Sequence, residues 1–592
     1  MIIQALRDYA HEHGLADIRG YQMLEIRWLI HLSDAGEFVS IEETTASDSD
    51  SKKKPRARSF LAPILPKRSS GIAPGLFIDK AEYVLGHRVA DPKESEAERL
   101  RRDAACIQKR DSFRGRLARV YDATQDEDIG AVLRFLQSYD RNVIAEVRDT
   151  AFAGNDIIGF AIEPFGQALH DPARDNLRAF VDVDSQIGTK QICSTCNTLG
   201  TIARTHPSIK GVRGANSSGA SLVSFNTPAF ESFGMEQGAV GATCVDCANA
   251  YVAASHHLLG RSGSKERNAF HLSNRVTVLA WTTGVSAADS FSLEDLLTGP
   301  SADEVRAAYH SPYRGKLSAS ISNSSRYRVL VLGGEAGRIA IREWIDQALD
   351  DTLRHVSRFL DDLDVGSDFP PSIYWLIKSL KPKGKEEESR LIAPLLRCAL
   401  TGQAIPLSFL SVAVRRLRVP GEFIDENDRL SLDAVSRIAL IKAVLRRQAD
   451  RQLGDLPPML DTDRTDPAYL CGRLLCILDR AQEKATNAKA GIVERYYGAA
   501  SSRPALVFGS LLRGAQNHLT KTEVGYLNRD VQDVLANLPS FPTTLSMQDQ
   551  GLFALGFYHQ RKAFFTKKAV TSTDGEKPTD PQATSNLTAE EA

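Results

Sequence analysis

The sequence predicts an α+β protein: a mixed N-terminal half of helices and strands that carries a loop held by zinc, then an all-helical C-terminal half ending in a helix bundle. Short strand-like runs separated by Gly, Pro and Asn turns concentrate between residues 155 and 285. After about residue 345 strand signals almost vanish, and amphipathic helical patterns follow one another. Two CxxC pairs, Cys193–Cys196 and Cys244–Cys247, enclose a Gly- and Ser-rich segment.

Composition limits the class of protein. The 592 residues are too many for one core and predict two to four domains. The apolar content of 42% and charged content of 25% are typical of a soluble globular protein, and the net charge of −1 does not identify a partner. No apolar run is long enough for a transmembrane helix, and the N-terminus has no signal-peptide pattern. Eight cysteines, four of them in CxxC pairs, indicate metal binding in a reducing compartment, so we expect a cytoplasmic protein without membrane contact.

The first elements are a helix within residues 1–30 and an apolar strand at 24–32. Residues 42–51 are rich in Glu, Ser, Thr and Asp and predict a solvated loop. Residues 52–68 then contain seven Lys or Arg and no acid. A solvated, mobile loop is the usual interpretation of an isolated charge run, whereas contact with a polyanion is favoured if other basic elements face the same way. The candidate contacts with such a polyanion are Lys52, Lys53, Lys54, Arg56 and Arg58.

Residues 93–150 have a helical rhythm, with Leu133 and Leu136 in an amphipathic stripe. Strands are predicted at 157–162, 179–183, 276–281 and 327–332. The last of these runs into a glycine-rich segment, 333–337, after which we expect a helix near Arg338. The spacing differs from a dinucleotide-binding fingerprint, so it indicates a tight strand-to-helix turn.

The C-terminal half contains helical patterns at 431–447, 469–481 and 504–519, and a last helix that Ser546 caps together with Asp549. From about Thr571 the composition predicts a disordered tail. These patterns predict an N-terminal α+β domain (1–345), a helical middle region (346–455), a C-terminal helical bundle (456–570) and a tail (571–592).

The two CxxC pairs predict a structural Zn²⁺ site, because each turn places two thiolates within reach of one tetrahedral ion. The ligands would be Cys193, Cys196, Cys244 and Cys247, with 47 residues between the pairs. The alternatives are neighbouring buried cysteines or a redox pair. Four thiolates would leave no open position for catalysis, and His256 and His257 are expected to pack or hydrogen-bond rather than ligate the metal.

The enclosed segment from Lys210 to Ser221 carries cations and no acid. Its glycines permit close approach of the backbone to a ligand, and its short polar side chains can reach base edges. The alternative is an inconsequential surface loop. As contacts with phosphate we predict Lys210 and Arg213, and as contacts with a base-pair groove Asn216, Ser217 and Ser218.

Several long strings resemble the large subunit of type I-C CRISPR surveillance complexes (Cascade), over nearly the whole chain. The strings are IKGVRGANSSGASLVSFN (209–226) and AFESFG (229–234), MIIQAL (1–6), SGIAP (70–74), YVLG (83–86), YYGAAS (496–501), QGLFALGFY (550–558) and QR (560–561). The cysteine pairs are not taken as defining this family, so the prediction of zinc rests on chemistry alone.

The resemblance implies a non-catalytic subunit that recognises the short PAM duplex beside the target while base pairing with guide RNA reads the rest. It further implies that the subunit helps to open the duplex into an R-loop, holds the displaced non-target strand and helps to recruit a helicase–nuclease. The implied partners are crRNA, double-stranded target DNA, and the backbone and crRNA-end-binding subunits. Gln237 becomes a weaker candidate for groove contact or duplex wedging.

The resemblance also implies that the C-terminal region can be made separately, from an internal start, as a small subunit. Met459 is the one methionine just ahead of the predicted bundle, and Met459 to Ala592 is 134 residues. Two other functions stay open at this point: a zinc-stabilised nuclease or nucleic-acid-modifying enzyme, and a scaffold that contacts only protein.

Overall fold

The computed structural model describes most of the chain and divides it into two compact units. The described residues are 1–15, 18–45, 57–66, 68, 71–89, 91, 93–140, 143–185, 188–260, 268–283, 325–367, 371–382, 389–419, 430–448, 455–486, 491–519 and 525–565. One unit comprises Met1–Asp361 and Phe369–Gln403, and the other Asp362–Asp368 and the chain from Ala404 onward. Sheets lie in the N-terminal half and helices in the C-terminal half, which confirms the predicted fold class. The described helices include none long and apolar enough to cross a membrane.

The first sheet of the N-terminal unit has the strand order β3-β2-β6-β5, with β7 also paired to β6. Its strands are β2 (Trp28–Leu32), β3 (Phe38–Glu43), β5 (Asp79–Lys80), β6 (Ile157–Ile162) and β7 (Gln167–Ala168). β2 and β6 run parallel, and the other pairs are antiparallel. Every residue of β6 is buried, which is the burial expected of a central strand. Beside this sheet, β1 (Tyr21–Glu25) pairs with β4 (Ser59–Pro63).

Helices α2 (Ala81–Val84), α3 (Glu96–Thr124), α4 (Glu127–Ser138) and α5 (Ala145–Asp149) accompany the first sheet. Ser95 and Glu98 form a capping box at the start of α3, so the orphan amide groups of its first turn are satisfied. Phe113 and Leu117 of α3 and Phe135 of α4 share one buried core with Phe160 of β6. This core fixes the first sheet and its helices as one layered body.

The second sheet is a four-stranded antiparallel meander, β10-β11-β12-β13. Its strands are β10 (Ala269–Ser273), β11 (Val276–Thr283), β12 (Arg326–Glu335) and β13 (Arg338–Ala348). Two helices, α1 (Ile2–Glu12) and α7 (Val245–Leu258), pack on it. Their buried residues Leu6, Tyr9 and Tyr251 join Trp281 and Leu330 of the sheet in a second core.

Two predicted elements were wrong. Residues 179–183 belong to α6 (Asp175–Ser185), not to a strand, because Leu177 and Val181 are buried one helical turn apart. Arg338 begins strand β13 rather than a helix, because β12 continues to Glu335 and the residues Ala336 and Gly337 form the turn of a hairpin in which Glu335 pairs with Arg338. The predicted strand at 24–32 is interrupted between β1 and β2, and the polar run after Ile41 begins inside β3.

Helices α8 (Leu349–Leu363), α9 (Ile373–Leu380) and α10 (Ser389–Thr401) follow the second sheet. The helical unit then contains α11 (Leu407–Leu417), α12 (Leu432–Arg446), α13 (Pro467–Thr486), α14 (Ile492–Ala500), α15 (Pro504–Leu519), α16 (Gly525–Ala536) and α17 (Met547–Phe565). Ser546 and Asp549 form the predicted cap of α17, with the Asp549 amide 3.2 Å from the Ser546 hydroxyl. The tail from Thr571 lies outside the described residues.

Candidate metal centre and nucleic-acid interface

The four predicted cysteines meet at one point. Cys193 and Cys196 lie in the turn between strands β8 (Lys190–Ile192) and β9 (Leu199–Thr201). Cys244 is the N-cap of α7, and Cys247 lies in its first turn. Their sulfur atoms all lie within 4.8 Å of one another, and Cys196 Sγ is 3.9 Å from Cys244 Sγ. Three of the four side chains are buried, so the sulfurs are largely withdrawn from solvent.

Backbone amides point at these sulfurs, which is the environment of a thiolate. Cys193 Sγ accepts from the amides of Thr195 and Cys244, at 3.3 Å each, and Cys244 Sγ accepts from Cys247 at 3.5 Å. Hydrogen bonding with Cys247 lowers the pKa of the Cys244 thiol to about 5. Burial tends to raise the pKa of Cys196, but hydrogen bonds with Thr198 outweigh it, so this pKa is lowered. The pKa of Cys247 is raised by its hydrogen bond with Cys244 and by burial.

The donor set fits a tetrahedral zinc ion. A Zn–S bond of about 2.3 Å places tetrahedral sulfurs a little under 4 Å apart, close to the measured 3.9 Å. A divalent ion would also remove the proton that the raised pKa of Cys247 retains, because metal binding deprotonates thiols. The four cysteines are the one group of three or more potential metal ligands found within the described part of the chain. They would hold the ion structurally, since four thiolates complete its coordination.

Helix α7 connects the cysteines to the segment they enclose. It starts at the Cys244 cap, and in its last turn His256 Nε2 accepts a hydrogen bond from the Lys210 amide at 3.0 Å. The neighbouring His257 Nδ1 lies 2.9 Å from the Tyr9 hydroxyl of α1. Both histidines therefore hydrogen-bond within the fold, as predicted. The four-cysteine cluster and the start of the enclosed loop are joined by helix α7.

The loop itself is closed at its base and fixed to the second sheet. Ile209 and Ala220 exchange two backbone hydrogen bonds of 2.8 and 2.9 Å. The loop then lies along the β12–β13 turn. The Asn216 amide donates a hydrogen bond of 2.9 Å to the Ala336 carbonyl, and the Ser221 amide donates one of 3.0 Å to the Gly337 carbonyl. The Arg213 amide donates to the buried Thr277 hydroxyl at 3.0 Å. This loop, residues 209–221, is called the reading loop below.

The reading loop has an apolar side and a polar side. Ile209, Val212 and Ala220 are buried in the second core. All five candidate DNA contacts of the loop are exposed: Lys210, Arg213, Asn216, Ser217 and Ser218. The structure thus brings the predicted contacts together on one solvent-facing loop of fixed backbone.

Two glycines explain how the loop can lie so close to the hairpin. A Cβ at Gly334 would be 2.4 Å from the Ala215 amide nitrogen, and a Cβ at Gly214 would be 2.5 Å from the Gly334 carbonyl oxygen. Gly214 also has a φ of +80°, which disfavours any other residue. Backbone packing within the protein therefore accounts for Gly214 without a bound ligand.

The other predicted contacts lie elsewhere. Gln237 starts a short 3₁₀ helix, Gln237–Val240, and its Oε1 accepts from Arg204 Nε at 2.6 Å. Arg58 precedes β4 and is exposed, with its guanidinium carbon 4.5 Å from the Phe60 ring centroid. Lys52, Lys53, Lys54 and Arg56 lie outside the described residues.

Sequence patterns missed two cations beside the reading loop. Arg275 lies in the turn between β10 and β11. A Cβ added at Gly214 would lie 3.5 Å from the Arg275 Cα, so the backbones of the two residues are close. Arg338 opens β13, where its backbone pairs with Ser221. Both are exposed. Burial lowers the pKa of the His271 imidazole, and the positive charge of the nearby Arg213 lowers it further. Four exposed cations, Lys210, Arg213, Arg275 and Arg338, thus lie on or beside the reading loop, and a group of cations favours an anionic ligand.

A family model described as CRISPR-associated protein (Cas_Csd1) matches residues 6–565 of the chain. The matched range includes the four cysteines, the reading loop and the helices up to α17. No curated protein matches the chain. The match confirms the CRISPR association that the sequence motifs imply.

Proposed function

Because this chain belongs to the CRISPR-associated Cas_Csd1 family, we propose that it is the non-catalytic large subunit of a type I-C surveillance complex. In this role it recognises the PAM duplex, promotes unwinding of the target into an R-loop and holds the non-target strand. Its partners are crRNA, target DNA, the backbone and crRNA-end-binding subunits, and a helicase–nuclease that it helps to recruit.

One observation carries the DNA-binding part of the proposal: the reading loop is rigid, exposed and cationic. Its backbone is fixed to the β12–β13 turn, so its side chains project from a preformed shape. Among the described residues, the side chains of Lys210, Arg213 and Arg275 form no hydrogen bond or ion pair, so their charges are available to a ligand. Preformed polar loops with free cations suit a duplex, whose phosphates need charge and whose base edges need short donors and acceptors.

Each loop residue then has a distinct role. Lys210 and Arg213 contact phosphates, which strengthens binding to any sequence. Asn216, Ser217 and Ser218 contact base edges in the PAM groove, which discriminates between sequences. Gln237 is a weaker candidate, because Arg204 already engages its side chain. The cationic strip with Lys52, Lys53, Lys54, Arg56 and Arg58 contacts the DNA backbone.

The zinc ion has a structural part in this function. Four thiolates fill its coordination, so chemistry on a substrate is not its contribution. Cys193, Cys196, Cys244 and Cys247 would instead fix the start of α7, whose last turn holds the reading loop through His256. The metal thereby supports the shape that the DNA contacts require.

The test is a binding measurement with the assembled complex on two duplexes that differ only in the PAM. Replacing Asn216 and Ser218 by Ala should weaken binding to the PAM duplex by about tenfold or more, since each lost base contact costs about 1–3 kcal/mol. Binding to the PAM-less duplex should change little. Replacing Arg213 by Gln should weaken both alike and reduce the dependence of affinity on salt. Equal losses in the Asn216 and Ser218 variant on both duplexes would contradict base recognition by this loop.

A further inference from the structure

Helix α1 places one arginine against the four-cysteine cluster. The Arg7 Nη1 atom donates to the Thr195 carbonyl at 3.3 Å, inside the turn that carries Cys193 and Cys196. The Arg7 Nε atom donates to Asp8 Oδ1 at 3.0 Å, and 20% of the arginine side chain is exposed. Arg7 and Thr195 are 188 residues apart in the chain, so the fold alone brings this cation to the cysteines.

A guanidinium hydrogen bond also reaches the side chain of Cys247. Burial tends to lower the pKa of Arg7, but the hydrogen bonds and negative charges of Asp8 and Cys247 outweigh it, so this pKa is raised. Cys247 lies in the first turn of α7, whereas Thr195 lies in the β8–β9 turn. Arg7 therefore contacts both elements that supply the four sulfurs.

The hydrogen bonds at the four sulfurs are unevenly distributed. Three sulfurs lie near donors of the cysteine turns themselves: Cys193 and Cys244 near backbone amides, and Cys196 near the Thr198 hydroxyl. Among the described residues, no backbone amide donates to Cys247 Sγ. Arg7 supplies the hydrogen bond that this sulfur does not receive from the backbone.

The charge of a filled site calls for a cation. Four thiolates exceed the charge of one divalent ion by two negative charges. Three of the four cysteine side chains are buried, so water compensates little of this excess. A buried charge is costly unless an opposite charge and hydrogen bonds accompany it. A guanidinium suits this place, because it is always charged, is weakly hydrated and donates in several directions.

Arg7 lies where the cluster faces a cavity. The cavity has a volume of about 450 Å³ and is lined by Cys196, Cys244 and Cys247, with Arg7 in its wall. A small chelator or electrophile that enters the cavity therefore meets the cation beside the sulfurs. The position of Arg7 fits a role in protecting the metal as well as in balancing its charge.

We propose that Arg7 is the charge partner of the metal centre: it offsets the excess negative charge of the zinc–thiolate group and so retains the ion. This rests on the structural zinc site proposed above. A cation at a ligating sulfur stabilises the thiolate, which is then less readily protonated. Arg7 is a positioning residue, because it acts through Cys247 and the β8–β9 turn and does not ligate the metal.

The test is metal binding by the purified full-length chain, with Co²⁺ as the probe and Zn²⁺ in competition. Co²⁺ held by four thiolates absorbs visible light, so a titration gives the affinity and the spectrum reports the ligand set. Arg7→Met removes the charge and keeps an unbranched side chain. It should weaken the affinity for both ions by about 10–100-fold, the usual effect of losing an outer partner of a metal ligand, without changing the spectrum. Arg7→Lys keeps a cation and should bind both ions more tightly than Arg7→Met does.

Arg19→Met is the matched control. Arg19 lines the same cavity, but its guanidinium forms ion pairs with Asp246 and Asp182, at 3.0 and 3.5 Å. The Arg19 side chain is half exposed, and exposed ion pairs contribute little, so the metal affinity should stay within about twofold of that of the unaltered chain.

Four results would overturn the role of Arg7 and leave the zinc site standing. They are unchanged affinity in Arg7→Met, equal losses in Arg7→Met and Arg19→Met, an altered Co²⁺ spectrum in Arg7→Met, and affinity in Arg7→Lys no better than in Arg7→Met. The altered spectrum would mean that the substitution displaces a ligand, and the last result would mean that packing rather than charge is lost. An unaltered chain that binds neither ion would overturn the zinc site and the role of Arg7 together.

Discussion

At the scale of single residues, the glycines of the β12–β13 hairpin decide whether the reading loop keeps its place. Gly334→Ala should detach the loop, because the new Cβ would lie 2.4 Å from the Ala215 amide nitrogen. We expect a loss of about 1–3 kcal/mol in the free energy of unfolding, the usual cost of overpacking. Amide hydrogen exchange should accelerate at Asn216 and Ser221, whose N–H groups bond to the hairpin turn.

Gly337→Ala is the control in the same hairpin. A Cβ at Gly337 meets no atom within 4 Å, and its φ is not in the left-handed region. Stability and exchange should therefore stay close to those of the unaltered protein. If both substitutions had the same effect, the close contact between the hairpin and the reading loop would not be the cause.

At the scale of elements, the four-cysteine cluster joins the β8–β9 hairpin to α7. Cys244→Ser should abolish binding of one zinc per chain and make residues 190–201 sensitive to proteolysis, because two short strands alone are marginal. Zinc content by elemental analysis and limited proteolysis check this. Cys106→Ala is the control, since Cys106 is a buried cysteine of α3 away from the four ligands. Retention of zinc by Cys244→Ser would contradict the site.

A second prediction at this scale concerns the contact of α13 with α17. Two glycines allow the backbones of these helices to come into contact. A Cβ added at Gly472 would lie 2.0 Å from the Phe553 carbonyl oxygen, and a Cβ added at Gly556 would lie 2.2 Å from the Tyr469 carbonyl oxygen. Gly472→Ala should destabilise the helical unit by about 1–3 kcal/mol in urea unfolding. Gly514→Ala on α15, where a Cβ meets nothing, should stabilise it by up to about 1 kcal/mol through helix propensity. Effects of the same sign would contradict the close packing.

Elements with clear end signals were predictable from the sequence, whereas elements whose residues also fit the pattern of another structure were not. The last helix carries a capping box and a long apolar pattern, so its start at Ser546 was confirmed. The helix α6 was mistaken for a strand because Val181 and Val183 alternate with Asp182, while the helical spacing of Leu177 and Val181 extends beyond so short a window. Strand β13 was mistaken for a helix because a glycine turn can precede either element.

The candidate site was predictable from the sequence where it depends on residues that are close together in the chain. Four cysteines at CxxC spacing specify a metal site by their own side chains, and the cluster they form was confirmed. The support of the reading loop depends on Gly334, 120 residues beyond Gly214 in the chain, and no local pattern links the two. The position of Phe233, exposed in the turn from Ser232 to Met235, likewise needs a positive φ that a bulky residue disfavours. Long-range contacts and strain therefore had to come from the structure.

At the scale of the whole molecule, the helical unit is assembled from two parts of the chain. Residues Asp362–Asp368 belong to it together with the chain after Ala404. Asp362 forms ion pairs with Arg446 and Arg447 of the α12 end, at 3.3 and 2.7 Å. The Gly366 carbonyl accepts from Lys562 of α17. The last helix is thus covered in part by a segment that precedes it by almost 200 residues.

A separately made small subunit beginning at Met459 would lack that cover. It would keep α13 to α17, including the close pair of α13 and α17, but lose α11, α12 and Asp362–Asp368. Leu410, Ile441 and Leu445, which pack near Gly551 of α17, would be missing. The apolar face of α17 that these residues cover would then be exposed. We therefore expect such a product to bury this face against another surface of the assembled complex.

The internal start itself is testable with one substitution. Met459→Leu preserves size and apolarity at a side chain that is 47% exposed, so folding should be unaffected. A product of about 134 residues, Met459 to Ala592, should be present in the mass spectrum of the unaltered purified complex and absent from that of the variant. Met547→Leu is the control and should retain it. A product that persists in Met459→Leu would place the start at another codon, and its absence from the unaltered complex would mean that the helical unit functions only within the full chain.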